Sequence, residues 1–66
     1  MQVTVNGRPH EVPDDVSVRQ LLDHLGLSLG PVAVEINREI VPRASHPTHR
    51  ITGGDTIEIV HLVGGG

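Results

Sequence analysis

The sequence predicts a two-layer α+β domain in which one helix covers one face of a four- or five-stranded sheet. Valine and isoleucine dominate its apolar residues, which favours strands. Several short segments alternate between polar and apolar residues, whereas one segment has the apolar spacing of a helix. With 66 residues and a mass of 7.1 kDa, the chain has room for a single domain.

The first predicted element is a β-hairpin. Gln2 to Asn6 alternates like a half-buried strand, and Asn6-Gly7 is the strongest short hairpin signal. Arg8 to Val12 forms the return strand. Pro9 and Pro13 lack N–H groups, so we expect this second strand to be short and to lie at a sheet edge.

A helix of about two turns is predicted over Val18 to Leu25. Its apolar residues fall at i, i+3, i+4 and i+7 and form a single stripe. Ser17 precedes the stripe and suits the N-cap position, where its hydroxyl accepts a hydrogen bond from the first turn. Gly26 suits the left-handed residue that follows a helix.

Three further strands complete the predicted sheet. Val32 to Ile36 and Glu39 to Val41 flank a turn at Asn37-Arg38, and Thr56 to Val63 is the last and longest strand. Arg43 to Arg50 is polar and is expected to be loop or one turn of 3₁₀ helix. If the last strand returns beside the first, the two lie parallel, because a long crossover separates them. This arrangement is the β-grasp, or ubiquitin-like, fold.

Composition excludes several classes of function. The chain has no cysteine, which excludes disulfides, zinc-thiolate sites and iron–sulfur sites. It has a net charge of −3 and no aromatic residue, so we expect no nucleic-acid partner. No apolar run is long enough to span a membrane and the first ten residues lack a secretory signal, so we expect a cytoplasmic protein without a membrane partner.

Histidines and acidic pairs do not indicate a metal or catalytic site. His46 and His49 are separated by Pro47 in a loop, and two ligands do not complete a metal site. Asp14-Asp15, like Glu35 with Glu39, is best interpreted as solvated surface charge. We therefore expect no bound metal or cofactor and no catalytic residue.

The chain ends in Gly64, Gly65 and Gly66, which are expected to form a flexible tail after a domain at residues 1–63. Plain fraying or a cloning remnant is the alternative.

Carriers of chemical groups need a defined attachment point. Biotin and lipoyl carriers need a lysine, and the chain has none. Phosphopantetheine carriers need an Asp-Ser-Leu setting, which differs from that of Ser17, and persulfide carriers need a cysteine. The attachment point that remains is the Gly66 carboxylate, on a tail slim enough to enter a partner's pocket.

Three segments resemble the sulfur carrier family of thiamine biosynthesis, the ThiS family. They are Val-Ala-Val-Glu-Ile-Asn at 32–37 with Ile-Val-Pro-Arg at 40–43, Gly-Asp-Thr-Ile-Glu-Ile-Val at 54–60, and the Gly-Gly end. Length and element order match over essentially the whole chain. Gly64 is a departure that lengthens the tail and leaves Gly65 and Gly66 in place.

The resemblance implies a carrier that is not itself an enzyme. A partner adenylyltransferase uses ATP and magnesium to activate the Gly66 carboxylate. A cysteine desulfurase, or another persulfide-bearing partner, supplies sulfur for a Gly66 thiocarboxylate. Thiazole synthase then receives that sulfur.

Alternation along the last strand predicts a docking surface beside the tail. Ile57 and Ile59 are expected in the core, which leaves Val60 and Leu62 on the open face of the sheet. A twist that partly buries both faces of the strand is the alternative. We expect partner proteins to bind these two side chains.

Two other functions fit the same fold. A small subunit of the molybdopterin-synthase type, or a ubiquitin-like modifier, would share the activation of the terminal carboxylate. A non-covalent β-grasp binding module belongs to a different class and would need no free Gly-Gly end.

Overall fold

The computed structural model describes residues 1–28 and 30–62 and confirms the predicted α+β class. Its described part contains five strands, one α-helix and one short 3₁₀ helix. In chain order they are β1 (Gln2–Val5), β2 (Arg8–Glu11), α1 (Val18–His24), β3 (Val32–Ile36), β4 (Glu39–Val41), the 3₁₀ helix (Arg43–Ser45) and β5 (Thr56–His61). β5 ends at His61, before the predicted end at Val63, whereas the predicted boundary between domain and tail lies outside the described residues.

The five strands form one mixed sheet in the order β2-β1-β5-β3-β4. β1 and β5 are parallel, with Thr4 opposite Thr56 and Val5 opposite Ile57, and the other neighbours are antiparallel. The predicted parallel return of the last strand is therefore confirmed. β2 lies at an edge, as its prolines predict, and β5 lies at the centre of the sheet.

Both hairpins use the tight turn that matches the twist of antiparallel strands. Asn6 and Gly7 have φ values of 50° and 81°, which is the left-handed conformation that Asn-Gly adopts readily. Asn37 and Arg38 adopt the same conformation with φ values of 52° and 70°. Arg38 thus occupies a position where glycine is usual.

Helix α1 begins with a capping box. The Ser17 hydroxyl accepts a hydrogen bond from the Gln20 N–H, and the Gln20 side chain accepts one from the Ser17 N–H. The helix ends at His24, one residue before the predicted end, because Leu25 is the C-cap. Gly26 follows with a φ of 72°, as predicted.

The core lies between α1 and one face of the sheet. Ile57 and Ile59 are buried in it, as the alternation of β5 predicts. Among the described residues, three buried valine and isoleucine side chains come instead from connecting segments: Val12, Val16 and Ile51. The Ile51 N–H donates to the Val16 carbonyl at 2.8 Å, which holds two of these segments together. Among the described residues, no helix has the length and apolar character needed to span a membrane.

Candidate functional site

The open face of the sheet, opposite α1, carries the predicted docking residues. Val60 is 58% exposed and Leu62 is 51% exposed, so the predicted exposure of both side chains is confirmed. Val60 is paired with Ala33 of β3, and the Leu62 N–H continues that ladder by donating to the Pro31 carbonyl at 3.0 Å. Whether a partner binds these side chains stays a prediction.

Ile40 is a further exposed apolar residue on the open face, two strands away from β5, and was missed by the sequence reasoning. It is 75% exposed and lies opposite Glu35 on the open face. The signal was present, because Ile40 alternates with Val41, which is buried. We call Ile40, Val60 and Leu62 the apolar patch.

Charged residues on the open face are acidic. Glu35 of β3 lies directly opposite Glu58 of β5, and both are exposed. Glu11 joins them on this face through its pairing with Gln2. Like charges directly opposite each other on neighbouring strands destabilise a sheet by about 0.2–1 kcal/mol. The apolar patch is therefore combined with an unfavourable pair of carboxylates.

Asn6 anchors the part of β5 that carries Val60. Its backbone N–H donates to the Ile57 carbonyl at 2.9 Å. Its side-chain Nδ2 donates to the Ile59 carbonyl at 3.1 Å, and its Oδ1 accepts from the Ile59 N–H at 2.8 Å. The amide side chain thus pairs with β5 as a strand residue would, beyond the end of β1. The sequence placed Asn6 at the end of the first strand and in the hairpin turn, and gave no sign of its side-chain contacts with β5.

The predicted attachment site lies beyond the described part of the chain. Gly66, which would carry the thiocarboxylate, and the threading residues Gly64 and Gly65 are outside the described residues. Their roles stay predictions. Gly66 follows Leu62 by four residues, so the apolar patch is close to the proposed reactive end in sequence.

His46 is buried, and its ring is hydrogen-bonded to the protein backbone. It is 6% exposed, and its Nε2 donates to the Val41 carbonyl at 3.1 Å. His49 is exposed. Within residues 1–28 and 30–62, no group of three or more histidine, cysteine, aspartate or glutamate side chains could hold a metal ion.

The Met1 ammonium group lies at the start of β1 and contacts the end of β2 and the residues that follow it. It donates to the Val12 carbonyl at 2.7 Å and lies 3.1 Å from an Asp14 carboxylate oxygen and 3.5 Å from one of Glu11. The hydrogen bond to Asp14 raises the pKa of this ammonium group above its ordinary value, with a smaller contribution from Glu11.

Comparisons with known proteins agree with this fold. The sequence profile of the ThiS family matches residues 3–66. The crystal structure of thiamine biosynthesis protein ThiS from Geobacter metallireducens superposes with a TM-score of 0.85 at 33% identity, and each chain covers 100% of the other.

Curated relatives include both sulfur carriers and thiazole synthases. "Sulfur carrier protein ThiS" from Escherichia coli is 30% identical, over 100% of both chains. "Thiazole synthase" from Paramagnetospirillum magneticum is 39% identical over 100% of this chain and 20% of its own length. The present chain thus spans about a fifth of the length of that thiazole synthase.

Proposed function

Because this chain belongs to the ThiS family, we propose that it acts as a sulfur carrier of thiamine biosynthesis with the Gly66 carboxylate as the carrying group. The observation that carries the proposal is the extent of the family match, which runs from residue 3 to Gly66 and so includes the Gly-Gly end. The full-length similarity to a curated sulfur carrier supports the same role.

The proposed chemistry converts a poor electrophile into a sulfur donor. A partner adenylyltransferase, using ATP and magnesium, joins a Gly66 carboxylate oxygen to the α-phosphorus of ATP, and pyrophosphate leaves. The terminal sulfur of a persulfide, supplied by a cysteine desulfurase, attacks the carbonyl carbon, and AMP leaves. A thiol then attacks the cysteine sulfur of the resulting acyl disulfide, which forms a new disulfide with that cysteine and releases the Gly66 thiocarboxylate. This chain contributes no acid, base or cofactor to these steps.

Recognition by partners is assigned to the apolar patch and the tail. Val60 is exposed on β5, a strand held on one side by Asn6 and on the other by β3, and Leu62 is exposed directly after the end of that strand. A partner that covers them is correctly placed to receive a terminus four residues further along the chain. The glycines Gly64 and Gly65 give that segment a narrow cross-section.

Thiazole synthase is the proposed acceptor of the sulfur. Two curated thiazole synthases each contain a segment similar to the whole of this chain, which supports a functional link between the two proteins. We propose a cytoplasmic location, where ATP is available for the activation step.

Intact-mass spectrometry tests the proposal. The chain is incubated with the adenylyltransferase of its own organism, ATP, magnesium, a cysteine desulfurase and cysteine. The expected result is a mass increase equal to the exchange of one oxygen atom for one sulfur atom. A variant lacking Gly66 is the control; it should keep its far-UV circular dichroism spectrum and show no increase.

The Escherichia coli carrier with its own adenylyltransferase serves as the positive control for the reagents. An unchanged mass for this chain, in the presence of an adenylyltransferase that releases pyrophosphate from ATP, would contradict the proposal. The same increase in the variant without Gly66 would contradict the choice of attachment site.

A further inference from the structure

A cavity of about 120 Å³ opens at the helix side of the sheet, away from the apolar patch. It lies between the first turn of α1, the segment leading into β3, and the 3₁₀ helix. Its main lining residues are Arg19, Leu22, Ser28, Val32, Arg43 and His46. We call it the arginine pocket.

Buried His46 connects the two arginine-bearing segments. The Arg19 N–H donates to the His46 carbonyl at 2.9 Å, and the His46 N–H donates to the Arg43 carbonyl at 3.1 Å. The His46 ring is itself held by the Val41 carbonyl at 3.1 Å. Both arginine side chains therefore start from fixed backbone positions on either side of one residue, which reduces the ordering that a ligand must impose on the backbone.

The charge of the arginine pocket is opposite to that of the chain. The molecule has a net charge of −3, yet the charged residues that line this cavity are Arg19 and Arg43. Arg19 has a loose contact of 3.8 Å with the Asp23 carboxylate, and both side chains are exposed. Within the described part of the chain, the salt bridges do not include Arg43. Such a pocket attracts anions.

We propose that the arginine pocket binds a small oxyanion of the phosphate class. A phosphate group has enough oxygen atoms to accept hydrogen bonds from two guanidinium groups at once, whereas a carboxylate has only two oxygens and one guanidinium can satisfy both. The Ser28 hydroxyl lines the same cavity and can supply a further donor. Leu22 and Val32 line the apolar side, where they limit access of water.

The arginine pocket lies at the same end of the sheet as the end of β5, from which the chain continues to Gly66. Val32 of the lining lies opposite His61, and neighbouring Pro31 accepts the hydrogen bond from Leu62. The phosphate could come from a free ion or from a nucleotide. Both sources present a phosphate group to the pocket, and the titration described below distinguishes between them.

Nuclear magnetic resonance titration tests the site on the isolated chain. Inorganic phosphate, AMP and acetate are added separately to isotope-labelled protein at constant ionic strength. We expect phosphate or AMP to produce saturable shifts in the backbone amides of Arg19, Arg43 and His46, and acetate to bind at least tenfold more weakly. Saturation by AMP at lower concentration than phosphate assigns a nucleotide source, and the reverse order assigns the free ion.

Arginine variants make the test specific. Arg19→Gln and Arg43→Gln should each weaken phosphate binding about tenfold, because each removes a charge-assisted contact. Arg8→Gln is the matched control, since Arg8 is an exposed arginine on edge strand β2, and it should bind as the parent does. Equal affinity in Arg43→Gln and the parent, or shifts spread over the surface without saturation, would overturn the proposal. Because this test needs no partner enzyme, its failure would leave the sulfur carrier role unaffected.

Discussion

Replacing Asn6 by glycine removes a side-chain amide that holds the centre of β5. The amide donates to the Ile59 carbonyl and accepts from the Ile59 N–H, at 3.1 and 2.8 Å. Glycine adopts the φ of 50° found at this position without strain. Asn6→Gly therefore removes the amide while leaving the backbone conformation of the turn unchanged. Alanine at the same position removes the amide and also places a Cβ in the left-handed conformation.

The expected loss follows from the two hydrogen bonds. Each neutral hydrogen bond contributes about 0.5–1.5 kcal/mol net, so Asn6→Gly should lower the free energy of unfolding by about 1–3 kcal/mol. For a domain of this size, a loss of about 2 kcal/mol lowers Tm by roughly 8–16 °C. Asn6→Ala should lose about 1–2 kcal/mol more than the loss of the amide alone, from the left-handed conformation.

Urea and thermal denaturation should be followed by far-UV circular dichroism, because the chain contains no tryptophan or tyrosine to report by fluorescence. Hydrogen exchange at the Ile59 amide gives a local readout, and its protection should fall in both variants. A change below about 0.5 kcal/mol, together with unchanged protection of Ile59, would refute the reasoning, since a lost hydrogen bond costs at least that much.

Three further predictions concern the surface of the sheet and the start of β1. Leu62→Asp should weaken binding to the adenylyltransferase in a titration calorimeter while the domain stays folded; unchanged affinity would remove the docking role. Glu58→Gln should raise the free energy of unfolding by about 0.2–1 kcal/mol in urea, because it relieves repulsion from Glu35, and an equal or lower stability would contradict this. The raised pKa of the Met1 ammonium group predicts stability that is complete below pH of about 8 and falls as pH rises through the raised pKa, whereas an N-acetylated chain should lack that fall.

Local signals were sufficient for most of the fold. Asn6-Gly7 specified the first hairpin because both residues tolerate left-handed backbone, and Ser17 specified the start of α1 because its hydroxyl can reach the first turn. Alternation in β5 separated buried Ile57 from exposed Val60. The parallel pairing of β1 and β5 followed from the long connection between them. The family match confirms the resemblance drawn from the sequence.

Features that depend on register or on distant segments could not be predicted. The Asn6 amide meets Ile59 across 53 positions of sequence, so only the folded sheet brings them together. The opposition of Glu35 and Glu58 requires the exact pairing of β3 with β5. The burial of Val16 was not predicted, because this residue lies outside any segment with a periodic apolar pattern. The arginine pocket forms where separate segments of the chain meet around His46.

The sulfur carrier role requires that sulfur held on Gly66 reaches the thiazole ring. Carrier loaded with a heavy isotope of sulfur is incubated with thiazole synthase and its other substrates, and the thiazole phosphate product is analysed by mass spectrometry. We predict product that contains the heavy isotope and carrier that returns to the carboxylate. Thiazole phosphate with ordinary sulfur, formed while the carrier keeps its label, would contradict the role.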